Sequence, residues 1–160
     1  MAPALAILLG ATSIATAQPT SAAPSDVFAW GENVQGQLGN GTTIRSDVPV
    51  AVAGLTGAKT VSGGADFSLA LLGNGTVMAW GENGFGQLGN STTTSSDVPV
   101  AVSGLSEVTA ITAGGNHSLA LLGNGTVMAW GYNAFGQLGN STTTSSDVPV
   151  AVSGLSEVIA

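Results

Sequence analysis

The sequence predicts an all-β fold made of β-propeller blades, each of four antiparallel strands, in an incomplete ring. Two observations carry this reading. Trp30, Trp80 and Trp130 stand fifty residues apart, as do Gly39, Gly89 and Gly139, and Pro49, Pro99 and Pro149. Within each repeat, short β-branched runs alternate with Gly- and Asn-rich turns, the pattern of strands and hairpins. Gly and Pro recur too often for helices of ten or more residues.

The unit beginning at Val108 shows each element. Val108 to Ala113 is β-branched, ends at Gly114-Gly115, and reads as a first strand. His117 to Leu122 is the second. Gly123-Asn124-Gly125 makes a hairpin turn, because Asn and Gly tolerate positive φ. Thr126 to Trp130 is the third strand, Tyr132 to Ser146 a polar loop, and Asp147 to Val152 the fourth strand. Pro149 lacks a backbone donor and assigns that strand to a sheet edge. Leu119, Leu121 and Leu122 break strict alternation, as do Val127, Met128 and Trp130, so both faces of the middle strands need cover. Stacked blades supply it.

The repetition is close. Ser68 to Val108 recurs as Ser118 to Val158, with changes only at Glu82/Tyr132 and Gly84/Ala134. The expected organisation is an export signal over 1–17, a linker over 18–26, a partial unit over 27–57, full units over 58–107 and 108–157, and the start of another at 158–160. The short apolar run Ala4 to Ile14 followed by Ala15-Thr16-Ala17 has the form of a signal with its cleavage site. It implies a secreted or cell-surface protein, and it is too short for a stable transmembrane helix. Propellers need about four to eight blades. The chain is therefore expected to be a fragment of a longer protein, with open blade faces prone to self-association.

Composition excludes several roles. Charged residues make up 7% of the chain, and the net charge is -7. Arg45 and Lys59 are the only basic side chains, so neither a nucleic-acid surface nor a polybasic membrane anchor can be assembled. Without cysteine there is no disulfide framework or thiolate metal site. Most carboxylates recur once per unit, which places each copy a blade away and not within the about 5–10 Å of a glycosidase pair. His117 is the only histidine and has Phe67 in the matching slot. It is read as structural. No catalytic, cofactor-binding or metal residue is assigned, and no cofactor is expected.

One ten-residue string recurs three times: Trp80-Gly81-Glu82-Asn83-Gly84-Phe85-Gly86-Gln87-Leu88-Gly89, its copy from Trp130 to Gly139, and an earlier copy from Trp30 to Gly39. With Gly114-Gly115-Asn116-His117-Ser118-Leu119-Ala120-Leu121, these segments resemble the repeats of the regulator of chromosome condensation family. The resemblance covers residues 27–160 and implies a propeller of four-stranded blades. It also brings two family roles as alternatives: guanine-nucleotide exchange on a small GTPase, and inhibition of a secreted enzyme by a propeller.

The fixed positions of the string are expected to be structural. These are Trp30, Trp80 and Trp130 as inter-blade packing, and Asn33, Asn83, Asn133, Gln37, Gln87 and Gln137 as ties to loop backbone. The variable slots are the candidate binding face: Glu32, Val34 and Gln35, then Glu82 and Phe85, then Tyr132 and Phe135. The function expected is non-enzymatic binding of a protein or a glycan.

Overall fold

The computed structural model describes residues 5–8 and 27–159. The expected linker lies outside them, as does all of the expected export signal except Leu5–Leu8. Among the described residues eleven strands form three sheets. The first holds β1 (Leu5–Leu8), β2 (Val27–Gly31) and β3 (Ser46–Ala51). The second is a four-stranded meander of β4 (Ala58–Gly63), β5 (Phe67–Leu72), β6 (Val77–Gly81) and β7 (Ser96–Ala101). The third repeats it with β8 (Val108–Ala113), β9 (His117–Leu122), β10 (Val127–Gly131) and β11 (Ser146–Ala151). Neighbours within these two meanders are antiparallel, whereas β1 lies parallel to β2. The third and fourth strands of the Val108 unit end and begin one residue away from the expected bounds.

Local chemistry sets each element. Between β5 and β6 the turn Gly73-Asn74-Gly75 closes with Gly75 N–H donating to the Leu72 carbonyl at 3.0 Å, and Gly75 has φ +82°. Asn74 Oδ1 accepts the Thr76 N–H at 3.0 Å, so this Asn-x-Thr sequence is used as a turn. In the pairing of β6 with β7, Ala79 faces Val100 and Gly81 faces Ser96, which leaves Asp97, Val98 and Pro99 opposite Trp80. Pro99 thus sits in a bulge on an edge strand, where its missing donor costs no ladder bond. Ser96 Oγ donates to the Val98 carbonyl at 2.7 Å and steadies the bulge.

The blades stack face to face. Val27, Ala29, Leu38, Val52 and Leu55 of the first unit pack on Ala70 and Trp80 of the second. Phe67, Leu69, Leu71, Val77, Leu88 and Val102 of the second pack on Val108, Ala120 and Trp130 of the third. The central sheet is covered on both faces, and β5 is buried from Phe67 through Leu71. Each Val, Leu or Phe side chain among them contributes about 1.5–3 kcal/mol on full burial. The outer face of the third sheet is different: Leu119, Leu121 and Val127 line an open apolar groove with Val158 and Ile159.

Candidate functional site

The site is a loop face, and the repeated string builds it. Trp80 leaves β6 fully buried and crosses to the preceding blade, where its Nε1–H donates to the Gln37 carbonyl at 2.9 Å. Ser68 Oγ donates to the same carbonyl, also at 2.9 Å. Trp130 and Ser118 repeat the arrangement on the Gln87 carbonyl, both at 2.9 Å. Both acceptor positions of one carbonyl oxygen are therefore used by the next blade. Trp30, in the first unit, is half-buried.

A glycine is required where that indole lands. Gly39 and Gly89 have φ +66° and +65°, and a Cβ at either would lie within 2.6–2.8 Å of the Trp80 or Trp130 pyrrole edge. The Trp of one unit and the last Gly of the preceding string are thus one fitted contact.

The buried amides hold the loop between Trp and the fourth strand. Asn83 Oδ1 accepts the Leu88 N–H at 2.9 Å, and its Nδ2 donates to the Thr92 and Thr94 carbonyls at 2.9 and 3.1 Å. Asn33 does the same with Leu38, Thr42 and Ile44, and Asn133 with Leu138, Thr142 and Thr144. Gln37, Gln87 and Gln137 each accept, through Oε1, the N–H two residues earlier, at 2.9 Å. Their other ends differ. Gln37 Nε2 donates to Asp66 Oδ1 at 3.1 Å, but Gln87 Nε2 is buried without a partner, and Asn116 stands where the earlier unit has Asp66.

This frame presents the variable slots. Phe85 and Tyr132, from adjacent blades, have ring centroids 4.6 Å apart at 56°. Tyr132 and Phe135 are 6.1 Å apart at 74°, an edge-to-face pair. Phe85 is 39% exposed and Phe135 85% exposed, with Tyr132 half-buried between them, so the three rings form an aromatic patch that reaches solvent at both ends. Glu82 is half-buried, with Oε1 3.8 Å from where a Cβ on Gly84 would lie. The first unit's slots stand apart from this cluster. Glu32 Oε1 accepts the N–H groups of Asn33 and Val34 at 3.0 and 3.2 Å, while Val34 and Gln35 line a shallow cleft with Thr43 and Ser95–Asp97.

His117 opens β9 half-buried, its ring lying over Gly114. Burial lowers its pKa below the ordinary 6.5. Among the described residues no three His, Cys, Asp or Glu side chains cluster as metal ligands would.

The regulator of chromosome condensation (RCC1) repeat profile matches residues 25–71, 74–121 and 124–160, and a second profile of that description matches 58–87 and 108–137. The chain belongs to this repeat family. Its RCC1-type blades resemble those in the crystal structure of human WBSCR16, at 31% identity and TM-score 0.65, over 76% of this chain and 31% of that one. Two Saccharomyces cerevisiae structures also match. One is RCC1 (Prp20) bound by Kap60, at 17% identity and TM-score 0.39, over 79% of this chain and 44% of that one. The other is Prp20p, whose description names binding to Gsp1p and histones, at 18% identity and TM-score 0.38, over 79% and 46%. The chain spans less than half the length of each of these proteins. No curated protein matches it.

Proposed function

We propose that this RCC1-type chain is a non-enzymatic binding module of a secreted or cell-surface protein, and that it meets a protein partner through the loops after each Trp-Gly. The observation that carries the reading is the aromatic patch of Phe85, Tyr132 and Phe135, contiguous across two blades and open to solvent. The Asn and Gln hydrogen bonds hold these loops in place, so little side-chain or loop freedom is lost on docking. Exposed aromatics on a rigid frame are the residues that anchor interfaces. Export is supported by the run Ala4 to Ile14 and the small residues after it. The absence of an enzymatic role is supported by carboxylates that recur one per unit and by a single histidine whose matching slot holds Phe67.

The test is capture of proteins from the native culture medium by the wild-type chain, by Tyr132→Ala and by Phe135→Ala. The expected result is a partner retained by the wild type and lost by both variants, with melting curves showing folded protein. A partner held equally by all three would remove the loop face from the mechanism.

A further inference from the structure

Two acidic residues neighbour the loop that carries the aromatic patch. Phe85 lies between two glycines, and each abuts a carboxylate-bearing residue. A Cβ on Gly84 would lie 3.8 Å from Glu82 Oε1, and one on Gly86 would lie 2.5 Å from Asp147 Cα and 2.8 Å from its Cβ. Consecutive Cα atoms are about 3.8 Å apart, so the two acidic residues flank the loop segment that carries Phe85, one beside each neighbouring glycine. The basic residues are few: Arg45 is in the first loop, where the later units have Ser95 and Ser145, and Lys59 is on β4, the first strand of the second unit. The whole chain carries a net charge of -7.

These features select among occupants. An apolar partner seated on this loop face would lie against the segment flanked by Glu82 and Asp147, and stripping water from a carboxylate left unpaired is costly. A cation offsets that cost and is attracted by the negative faces of the three rings. Resting on the loop-face reading above, we infer that Phe85, Tyr132 and Phe135 seat an arginine or lysine side chain of a basic partner segment, with Glu82 and Asp147 as its counter-charges.

The probe is a short peptide of alternating Arg and Ser, compared by calorimetry with the same peptide carrying neutral citrulline for Arg. The wild-type chain should bind the Arg form at least about fivefold more tightly. Tyr132→Ala and Phe135→Ala, which leave net charge unchanged, should each weaken it about threefold or more. Glu82→Gln should weaken it too, and added salt should reduce binding. Phe135 is exposed enough that its variant reports on binding even where Tyr132→Ala loses stability.

Equal binding of the Arg and citrulline peptides overturns the inference. So does wild-type affinity in both aromatic variants, which would mean attraction by net charge alone, and so does preferential binding of a Leu-Ser peptide or a neutral oligosaccharide. A captured partner that is lost in Tyr132→Ala but not displaced by the Arg-Ser peptide sinks this inference and leaves the loop face standing. A partner unaffected by Tyr132→Ala removes both.

Discussion

Gly89 and Trp130 should behave as one energetic unit. A methyl group at residue 89 would lie 2.7 Å from Trp130 Nε1, 2.8 Å from its Cδ1 and 2.9 Å from Val102 Cγ1. The indole cannot retreat, because it is fully buried and tied to the Gln87 carbonyl at 2.9 Å. Gly89→Ala therefore carries two costs: about 1–2 kcal/mol for an alanine at φ +65°, and about 1–3 kcal/mol for overpacking the joint. Trp130→Ala alone should cost about 3–5 kcal/mol. In the double variant the ring is gone, and the Gly89→Ala increment should fall to about 1–2 kcal/mol, leaving a coupling of about 1–3 kcal/mol. Equilibrium urea unfolding of the wild type, both single variants and the double variant gives all four values. Additivity within about 0.5 kcal/mol would refute the fitted-contact argument.

Three further outcomes are expected. Asn116→Asp should stabilise the chain by about 1 kcal/mol at neutral pH, since a carboxylate presents an acceptor to the orphaned Gln87 Nε2 in either orientation, as Asp66 does to Gln37, whereas the Asn116 amide presents an oxygen on one side only; an unchanged urea midpoint would show that the amide is satisfied another way. Because burial lowers the His117 pKa, the unfolded chain takes up the proton more readily. The histidine's contribution is thus present above about pH 6.5 and lost as pH falls through the lower folded value, and His117→Phe should flatten that part of a stability-against-pH curve. A slope unchanged in the variant would assign it to the carboxylates. Finally, the open groove of Leu119, Leu121 and Val127 should drive association, so the mass from light scattering should rise with concentration and Leu121→Lys should suppress the rise. A single-chain mass throughout the range would contradict this.

The fold was largely legible because its signals are local. Val108 to Ala113 and His117 to Leu122 announce strands by β-branching and by the Gly and Asn turns that bound them, and they are strands over those same residues. The bounds of β10 and β11 differ by one residue because Gly131 and Ser146 pair across the bulge, which depends on the partner strand and not on propensity. The partners at the site were far less legible. Trp80 is bonded to a backbone carbonyl forty-three positions earlier, and a carbonyl leaves no mark on residue type. Asn83 reaches Thr92 and Thr94, nine and eleven positions on, where the sequence offers only a run of interchangeable Ser and Thr. The aromatic patch forms across a joint between units, so Phe85 and Tyr132 meet although each was visible only as a departure from its own repeat. A usable signal existed: aromatic residues fill three of the four corresponding slots in two neighbouring units, at 85, 132 and 135, the fourth being Glu82.

The Gln carbonyl that receives both the Trp and the Ser of the following blade has a consequence for how such a chain can change in length. Every joint is written in the same offset, Gln87 to Ser118 at thirty-one positions and to Trp130 at forty-three. Unequal recombination that adds or removes one whole fifty-residue period recreates each donor opposite its acceptor. Any shift out of phase puts the indole against a residue with a side chain and strands the carbonyl in a dry interior. Length is therefore quantised at the level of inheritance, and the near-identity of Ser68–Val108 and Ser118–Val158 is the form that a copying step of one quantum takes.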